Sequence, residues 1–527
     1  MNINYIAPEF SNLAELLEHS FQAYADLPAY QCLGQQFSFA ELEQKSRYLA
    51  QWLQNCTALQ AGDRIAIQLP NITQYPIAVY AALRAGLIVV NTNPLYTPRE
   101  MQHQFSDSGA KALIILADLL PKLETILADT ALETILVTKV TDLLSPGAHE
   151  QSGYLSLTAA IALGAELPVL QPCMARRDDI AVLQYTGGTT GVAKGACLSH
   201  GNLLANAQQM RDRLLQKLGT GEETFVCPLP LYHIYAFTVN MLSLFHMGNL
   251  NVLIPNPRDL DAFVGCLQKV PVTGMAGINT LFVGLCQHPQ FKQLDFSQLK
   301  VTFSGGSALT SAAFELWKQV TGCTITEGWG LSETSPVVTL NHFGQEQVGT
   351  VGLPLPHTEV QVWNEQQQRQ PDGFEGELVI RGPQVMQGYW NKPDETAKVM
   401  HQGFFKSGDI GIILADGSVK IVDRLKDMII VSGFNVYPNE VEDVLSRHPA
   451  VLESAVVSEP DERTGERVCA YVTLRTGVHA EVTANELIQH CQELLTAYKV
   501  PKTLRFLQEL PKSSVGKVLR RELRLPK

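Results

Sequence analysis

Four glycines, three threonines and one lysine crowd into 185-YTGGTTGVAKG-195. Glycine permits positive φ and close backbone approach, so successive N–H groups can point into one concavity, while threonine hydroxyls and Lys194 add donors and charge. That composition suits a polyphosphate. It is not the P-loop of the NTPases, which wants G-x-x-x-x-G-K-[ST]; here Lys194 follows Gly191 by three positions and precedes Gly195. Alone, the stretch also fits an ordinary glycine-rich turn. Four further residues have useful chemistry and a plainer reading beside it. His233, after PLY in 228-PLPLYHIYAF-237, fits a satisfied core histidine. Glu333, in 327-EGWGLSET-334, fits a solvated loop carboxylate. Asp409, in 406-KSGDIG-411, fits a turn or cap. Lys517 lies in the tail 511-PKSSVGKVLRRELRLPK-527, where six basic residues face one acidic residue and most belong to a solvated surface.

Something must position these groups. Residues 12 to 170 alternate amphipathic helical segments, such as 40-AELEQKSRYLAQWLQN-55, with short apolar runs, such as 64-RIAIQL-69 and 112-ALIILAD-118. That alternation predicts an α/β fold, with helices covering a largely parallel sheet. The run 179-DIAVLQY-185 reads as a strand. Leu203, Ala207, Met210 and Leu214 line one face of a helix that Ser199 caps, so the glycine loop is expected between strand and helix. Further strands at 299-LKVTFS-304 and 323-CTIT-326 run into Gly305-Gly306, ahead of a helix from about Thr310, and into EGWGLSET. Ligands gather at such strand ends in open α/β sheets.

After about residue 355 the texture changes to short, glycine-punctuated strands (359-EVQVW-363, 377-ELVIRG-382, 418-SVKIVDR-424), as in a small β subdomain. A compact α+β region follows, with helix 438-PNEVEDVLSRH-448, strands 453-ESAVVSE-459 and 467-RVCAYVTLR-475, and a helix opened by the capping-box pattern 483-TANE-486. The boundary is placed between Arg424 and Asp427, giving domains 1–425 and 426–527.

With 527 residues the chain exceeds the size of a single core. Its net charge of −12 disfavours a broad nucleic-acid surface. Ten cysteines are scattered singly, without zinc or disulfide spacing, as in a reduced cytosolic protein. The N-terminal residues lack the pattern of a secretory signal. The apolar stretch 234–254 is interrupted by Asn240, His246, Asn249 and Asn251, and reads as buried helix and strand rather than a membrane span.

Taken in order, YTGGTTGVAKG closely resembles the phosphate loop of the adenylate-forming enzymes, the superfamily of acyl-CoA synthetases, peptide-synthetase adenylation domains and firefly-type luciferases. PLPLYHIYAF, EGWGLSET, the stretch 402–442 and the terminal 498–523 follow in the family's order, so the resemblance covers nearly the whole chain. TGGTTGVAKGA, PLYHIYAF and SGFNVYPNEVEDV look most like bacterial long-chain fatty acyl-CoA synthetases. The resemblance implies that a carboxylate attacks the α-phosphorus of ATP to give an acyl-adenylate and pyrophosphate, after which the thiol of coenzyme A displaces AMP.

It also implies roles. Thr186, Gly187, Gly188, Thr189, Thr190, Gly191 and Lys194 would cradle the β- and γ-phosphates. Glu333 would bind magnesium and Ser332 reach the α-phosphate. Gly305, Gly306 and Ser307 would let the backbone approach adenine, with Trp329 stacking on it where most relatives carry tyrosine. Asp409 would accept from the ribose hydroxyls, assisted by Arg424. His233 would position the substrate carboxylate, Phe237 gate the acyl tunnel, and Lys517 bridge the acyl carboxylate and the α-phosphate. The small domain would rotate about Lys426, bringing Gly433 to the pantetheine path.

The leading reading is therefore an ATP- and Mg²⁺-dependent ligase of medium- to long-chain fatty acids and CoA. Its rivals are a fatty acyl-AMP ligase feeding a carrier protein, a coumarate-type aryl-CoA ligase, a luciferase-like oxygenase and a non-catalytic nucleotide binder. Relatives are often homodimers. Long acyl chains reside in bilayers, so a cytoplasmic protein in loose contact with the inner face of the cell membrane is expected.

Overall fold

The computed structural model describes residues 9–144, 153–186, 192–475, 482–513 and 516–524, and the statements below concern these. A seven-stranded sheet has the order Leu155–Ser156, Thr134–Thr138, Ala112–Leu116, Arg64–Gln68, Ile88–Asn91, Ile180–Thr186, Lys194–Ser199. All neighbours are parallel except the last pair. The inner strands IVVN and ALIIL are apolar runs rather than alternating ones because helices cover both faces of the sheet.

A nine-stranded sheet is parallel through its middle, from Ile325–Gly330 by way of Val301–Ser304, Gly274–Gly277, Thr224–Cys227 and Leu250–Leu253 to Pro28–Cys32. Antiparallel strands close both of its edges. A third sheet, of Glu359–Trp363, Gly376–Arg381, Met400–His401, Phe404–Ile413 and Val419–Arg424, is antiparallel. The C-terminal sheet pairs Val451–Asp461 with Gly465–Leu474 and packs against helices Pro438–Ser446 and Ala484–Leu494. One large apolar core draws on residues from Leu13 to Val419, and a second runs from Ile429 to Val500.

Most of the expected elements are present. The first long helix spans Phe39–Cys56 because Ser38 and Glu41 form a capping box at its start. Thr483 and Glu486 form the expected one ahead of Ala484–Leu494. Thr310 caps the helix Ser311–Thr321. The stretch 234–254 contains a buried π-helical run, Phe237–Leu244, and the strand Leu250–Leu253.

Two expectations need correction. No helix directly follows the glycine loop: the strands on either side of it, Ile180–Thr186 and Lys194–Ser199, pair antiparallel, with Thr186 opposite Lys194. The helix His200–Leu214 begins only after the second strand, where Ser199 accepts from the Asn202 N–H. The strand expected at 323–326 instead occupies Ile325–Gly330, because EGWG pairs with Val337–Leu340 across the sheet edge.

Candidate active site

The candidate residues stand where strands end. Ser304 is the last residue of its strand, and Gly305, Gly306 and Ser307 follow it. Gly306 has a φ of 82°, and a Cβ on Gly305 would meet the Tyr235 ring at 3.3 Å and the Gly328 carbonyl at 3.4 Å. A side chain at Gly305 would be crowded by these neighbours, while Gly306 is held in the left-handed region that favours glycine. In the neighbouring strand, Trp329 is buried and its indole Nε1–H donates to Asp409 Oδ2 at 2.8 Å. Asp409 and Arg424 face each other in strand register, with Arg424 Nε 3.3 Å from Asp409 Oδ1. Both oxygens of Asp409 are thus oriented by fixed partners.

Beyond Gly330, Ser332–Thr334 form a single tight helical turn. It buries Glu333, which is only 8% exposed, and Tyr389 OH donates to its Oε1 at 2.8 Å. Burial raises the proton affinity of Glu333, and the Tyr389 hydrogen bond and the Arg424 charge oppose that shift. A buried carboxylate short of positive charge suits a cation. Among the described residues no group of three or more His, Cys, Asp or Glu could hold a metal by itself. One carboxylate working with substrate phosphates and water is how magnesium is ordinarily bound, so Glu333 fits that ion.

His233 precedes a short helical turn, and the Tyr235 N–H points to its Nδ1 at 3.4 Å. With Nδ1 accepting, Nε2 carries the proton of the neutral ring. Burial, and then the charge of Lys517, lower the His233 pKa to about 4, so the ring is neutral at pH 7. Lys517 comes from the tail and is partly buried. Burial first, then Arg424, push its pKa down to about 7, against the opposing pull of Asp409. His233, Trp329, Asp409, Arg424 and Lys517 are linked by these interactions into one electrostatic unit, and Glu333 is within reach of the Asp409 and Arg424 charges.

The tail segment is docked on the large core. Thr280 Oγ1 donates to the Gly516 carbonyl at 3.4 Å, and Arg258 donates to the Ser513 carbonyl at 3.2 Å. A third contact lies on the adjacent helix: Asp443 Oδ1 accepts from Ser311 N–H at 3.0 Å and from Ser311 Oγ at 2.9 Å, at the first turn of Ser311–Thr321. These contacts hold Lys517 against the strand ends.

Other candidates are placed differently. Gly187, Gly188, Thr189, Thr190 and Gly191 lie outside the described residues. Thr186 ends one hairpin strand, and Lys194 opens the other and forms an ion pair with Glu395. Phe237 is fully buried in the large core at the start of the π-helical run. Lys426 is in the turn between Val419–Arg424 and Ile429–Val431, where the chain leaves one core for the other. Gly433 is not brought to the cluster: it lies in an exposed hairpin turn with φ 83°, and nothing is within 4 Å of where its Cβ would be.

Two residues were not singled out from the sequence. Tyr389 lies in GYWN, which offers no ionisable cluster to draw attention. Glu327, within its strand and opposite Ser304, has its pKa raised to about 8 by burial, and the Leu309 N–H points to its Oε1 at 3.4 Å. Its position two residues before Trp329 was the available signal.

Comparison with known proteins agrees with this geometry. Residues 17–390 match the model of a family described as AMP-binding enzyme, and residues 440–517 match its C-terminal domain. A long-chain-fatty-acid–CoA ligase of Yersinia pestis is 44% identical over 533 residues, covering 98% of this chain and 94% of the relative. Among solved structures, the anthranilate CoA ligase AuaEII in complex with anthranoyl-AMP superposes with a TM-score of 0.90 at 26% identity, covering 98% of this chain and 97% of that one. ATP-bound MatB from Rhodopseudomonas palustris gives 0.85 at 29% identity, covering 97% and 98%.

Proposed function

The chain belongs to the AMP-binding enzyme family, and from that premise we infer that it ligates medium- to long-chain fatty acids to coenzyme A, using ATP and releasing AMP and pyrophosphate. The observation that carries the reading is the delivery of Lys517 from the tail to a position where its charge is coupled to His233, Asp409 and Arg424. The aryl-CoA and carrier-protein alternatives are not favoured, because the relatives at 37–44% identity are long-chain-fatty-acid–CoA ligases.

In the first step a carboxylate oxygen bonds to the α-phosphorus of ATP while the bond to the pyrophosphate oxygen breaks. Asp409 and Trp329 hold the nucleoside, and His233, neutral with Nε2–H as donor, orients the incoming carboxylate. Lys517 supplies positive charge between carboxylate and α-phosphate, where negative charge is brought together. Its lowered pKa reflects desolvation first and then the Arg424 charge. Bringing phosphates beside it favours the ammonium and restores the charge as substrate binds. Magnesium, when bound through Glu333, supplies positive charge against the phosphates. In the second step the CoA sulfur attacks the acyl carbonyl carbon, the carbonyl–oxygen bond to AMP breaks, and the thiol proton is lost.

Several finer assignments belong to the same reading. The hairpin turn after Thr186, with Lys194, holds the β- and γ-phosphates. A domain boundary after residue 425 is supported by the separate cores on either side of it, and Lys426 is the pivot. Rotation there withdraws Lys517 and brings Gly433 to the pantetheine path. Phe237 gates the acyl tunnel, a role in keeping with its place in a π-helical run, a conformation frequent at functional sites. No helix among the described residues is long and apolar enough to cross a membrane, so contact with a bilayer would be peripheral and led by the substrate. A homodimer is the proposed assembly.

Product analysis tests the reading directly. ATP, Mg²⁺ and fatty acids of graded length, plus coumarate, are supplied with and without CoA. Acyl-CoA and AMP formed only with CoA, and from fatty acids rather than coumarate, are expected. Acyl-adenylate that accumulates regardless of CoA would point to a carrier-protein acceptor instead.

A further inference from the structure

The segment 386–390 acts as a strap between two parts of the site. At one end the Met386 N–H donates to the Glu333 carbonyl at 2.7 Å. At the other, Gln387 N–H donates to the Cys197 carbonyl, Cys197 N–H to the Gly388 carbonyl, and Trp390 N–H to the Gly195 carbonyl, at 3.0, 2.8 and 2.8 Å. Tyr389 itself bridges to Ala196 in antiparallel fashion, and its N–H donates to Thr396 Oγ1 at 2.9 Å. The strap is therefore laced to the returning strand of the glycine hairpin and to the Glu333 turn at once.

The Tyr389 side chain spans the same gap. Its hydroxyl donates to Glu333 Oε1 at 2.8 Å, and Lys194 Nζ lies 5.3 Å from the centre of its ring. A hydroxyl donating to a buried carboxylate fixes one oxygen and the plane of the group, leaving the other oxygen's direction defined. A ring face beside an ammonium holds that charge without consuming a carboxylate. Glu395, on the far side of Lys194, is paired with it and with Lys398 in an ion-pair set that phosphates could displace.

We propose that Tyr389 is the positioning residue of the metal and phosphate half of the site: its hydroxyl aims Glu333 at a divalent cation while its ring steadies Lys194 toward the phosphates. This rests on the family reading of Glu333 as the magnesium-binding carboxylate. A merely structural tyrosine would serve equally well as phenylalanine, because the ring fills the same space and the backbone ladder is untouched.

The test uses Mn²⁺ as the probe, titrated into the full-length protein with a non-hydrolysable α,β-methylene ATP analogue and followed by loss of the free Mn²⁺ electron paramagnetic resonance signal. Tyr389→Phe is expected to weaken Mn²⁺ binding by about tenfold or more, the usual effect of losing a partner that orients a metal ligand. Affinity for the metal-free analogue should stay at the wild-type value in the same preparation, which also shows that the site is folded. Tyr389→Leu should weaken both, since the ring beside Lys194 is gone. Wild-type Mn²⁺ affinity in Tyr389→Phe, or an equal loss for the metal-free analogue, would overturn the proposal while leaving the ligase reading intact. Failure of the wild-type protein to bind Mn²⁺ with the analogue would overturn the reading of Glu333, and the proposal with it.

Discussion

The two halves of the active site are built in opposite ways. Around Glu333 and Lys194, positions are set by strand register, by the 386–390 strap and by short hydrogen bonds within one core. Lys517 instead arrives on a tail segment held to the large core by Thr280–Gly516 and Arg258–Ser513, with Asp443 on Ser311 nearby. The first half is made to stay. On the proposed reading the second is made to leave, because carbonyl attack by a thiol needs the room that Lys517 occupies. A lysine on a lightly held segment would be a means of supplying charge for one step and removing it for the next.

Breaking the movable half at its chemistry should have the largest effect. Lys517→Ala is expected to slow adenylation by roughly 10²–10³-fold, the usual cost of removing one preorganised charge-stabilising group. Thioester formation from supplied acyl-adenylate and CoA should keep most of its rate. Separate assays of pyrophosphate release and CoA consumption check the split, and equal losses in both would remove the distinction between the halves. Lys426→Pro should freeze the turn between the two cores. Overall turnover should then fall on the order of a hundredfold, as expected when a catalytic group is held about an ångström from its place, with one half-reaction preserved.

The charge state of Lys517 gives a subtler probe. Its pKa is lowered to about 7 and its ammonium is the useful form, so activity is lost as pH rises through that value and retained below it. For adenylation, kcat/KM for ATP reports the free enzyme and should fall about tenfold per pH unit above the midpoint. Measured kcat should hold to higher pH, because bound phosphates favour the ammonium. A flat kcat/KM profile from pH 6 to 9 would contradict the burial argument. The smallest expected effect is that of Asp443→Ala, which removes the acceptor for Ser311 at a helix start. Such contacts contribute about 1 kcal/mol, so adenylation should slow by roughly fivefold while thioester formation is spared.

Much of this organisation was readable beforehand. The capped helix after Ser199, the glycine-punctuated β region and the C-terminal helices follow from capping residues and from period-2 and 3.6-residue patterns, which act over a few neighbours. The hairpin around the glycine loop was misread because a glycine loop between a strand and a helix is the commoner arrangement, and KGACLS shows no strict alternation. Its strand character comes from pairing with Ile180–Thr186 on one side and the 386–390 strap on the other. Trp329 was read as a stacking ring, and nothing local reveals that its indole N–H meets Asp409, 80 residues away.

By itself, then, the sequence determined the chemical inventory: glycines and threonines for phosphates, the carboxylate Glu333 in EGWGLSET, the aspartate Asp409 in KSGDIG and Lys517 in a basic tail. Those are matters of residue type and short-range order. Tertiary structure supplied the surroundings of Lys517, setting it beside Arg424 and His233 and lowering its proton affinity. It also recruited Tyr389, whose ordinary hydroxyl becomes consequential only because strand pairing brings it to a buried carboxylate 56 residues distant. Burial and long-range register set the charge and aim of a group, and neither is encoded in its immediate neighbours.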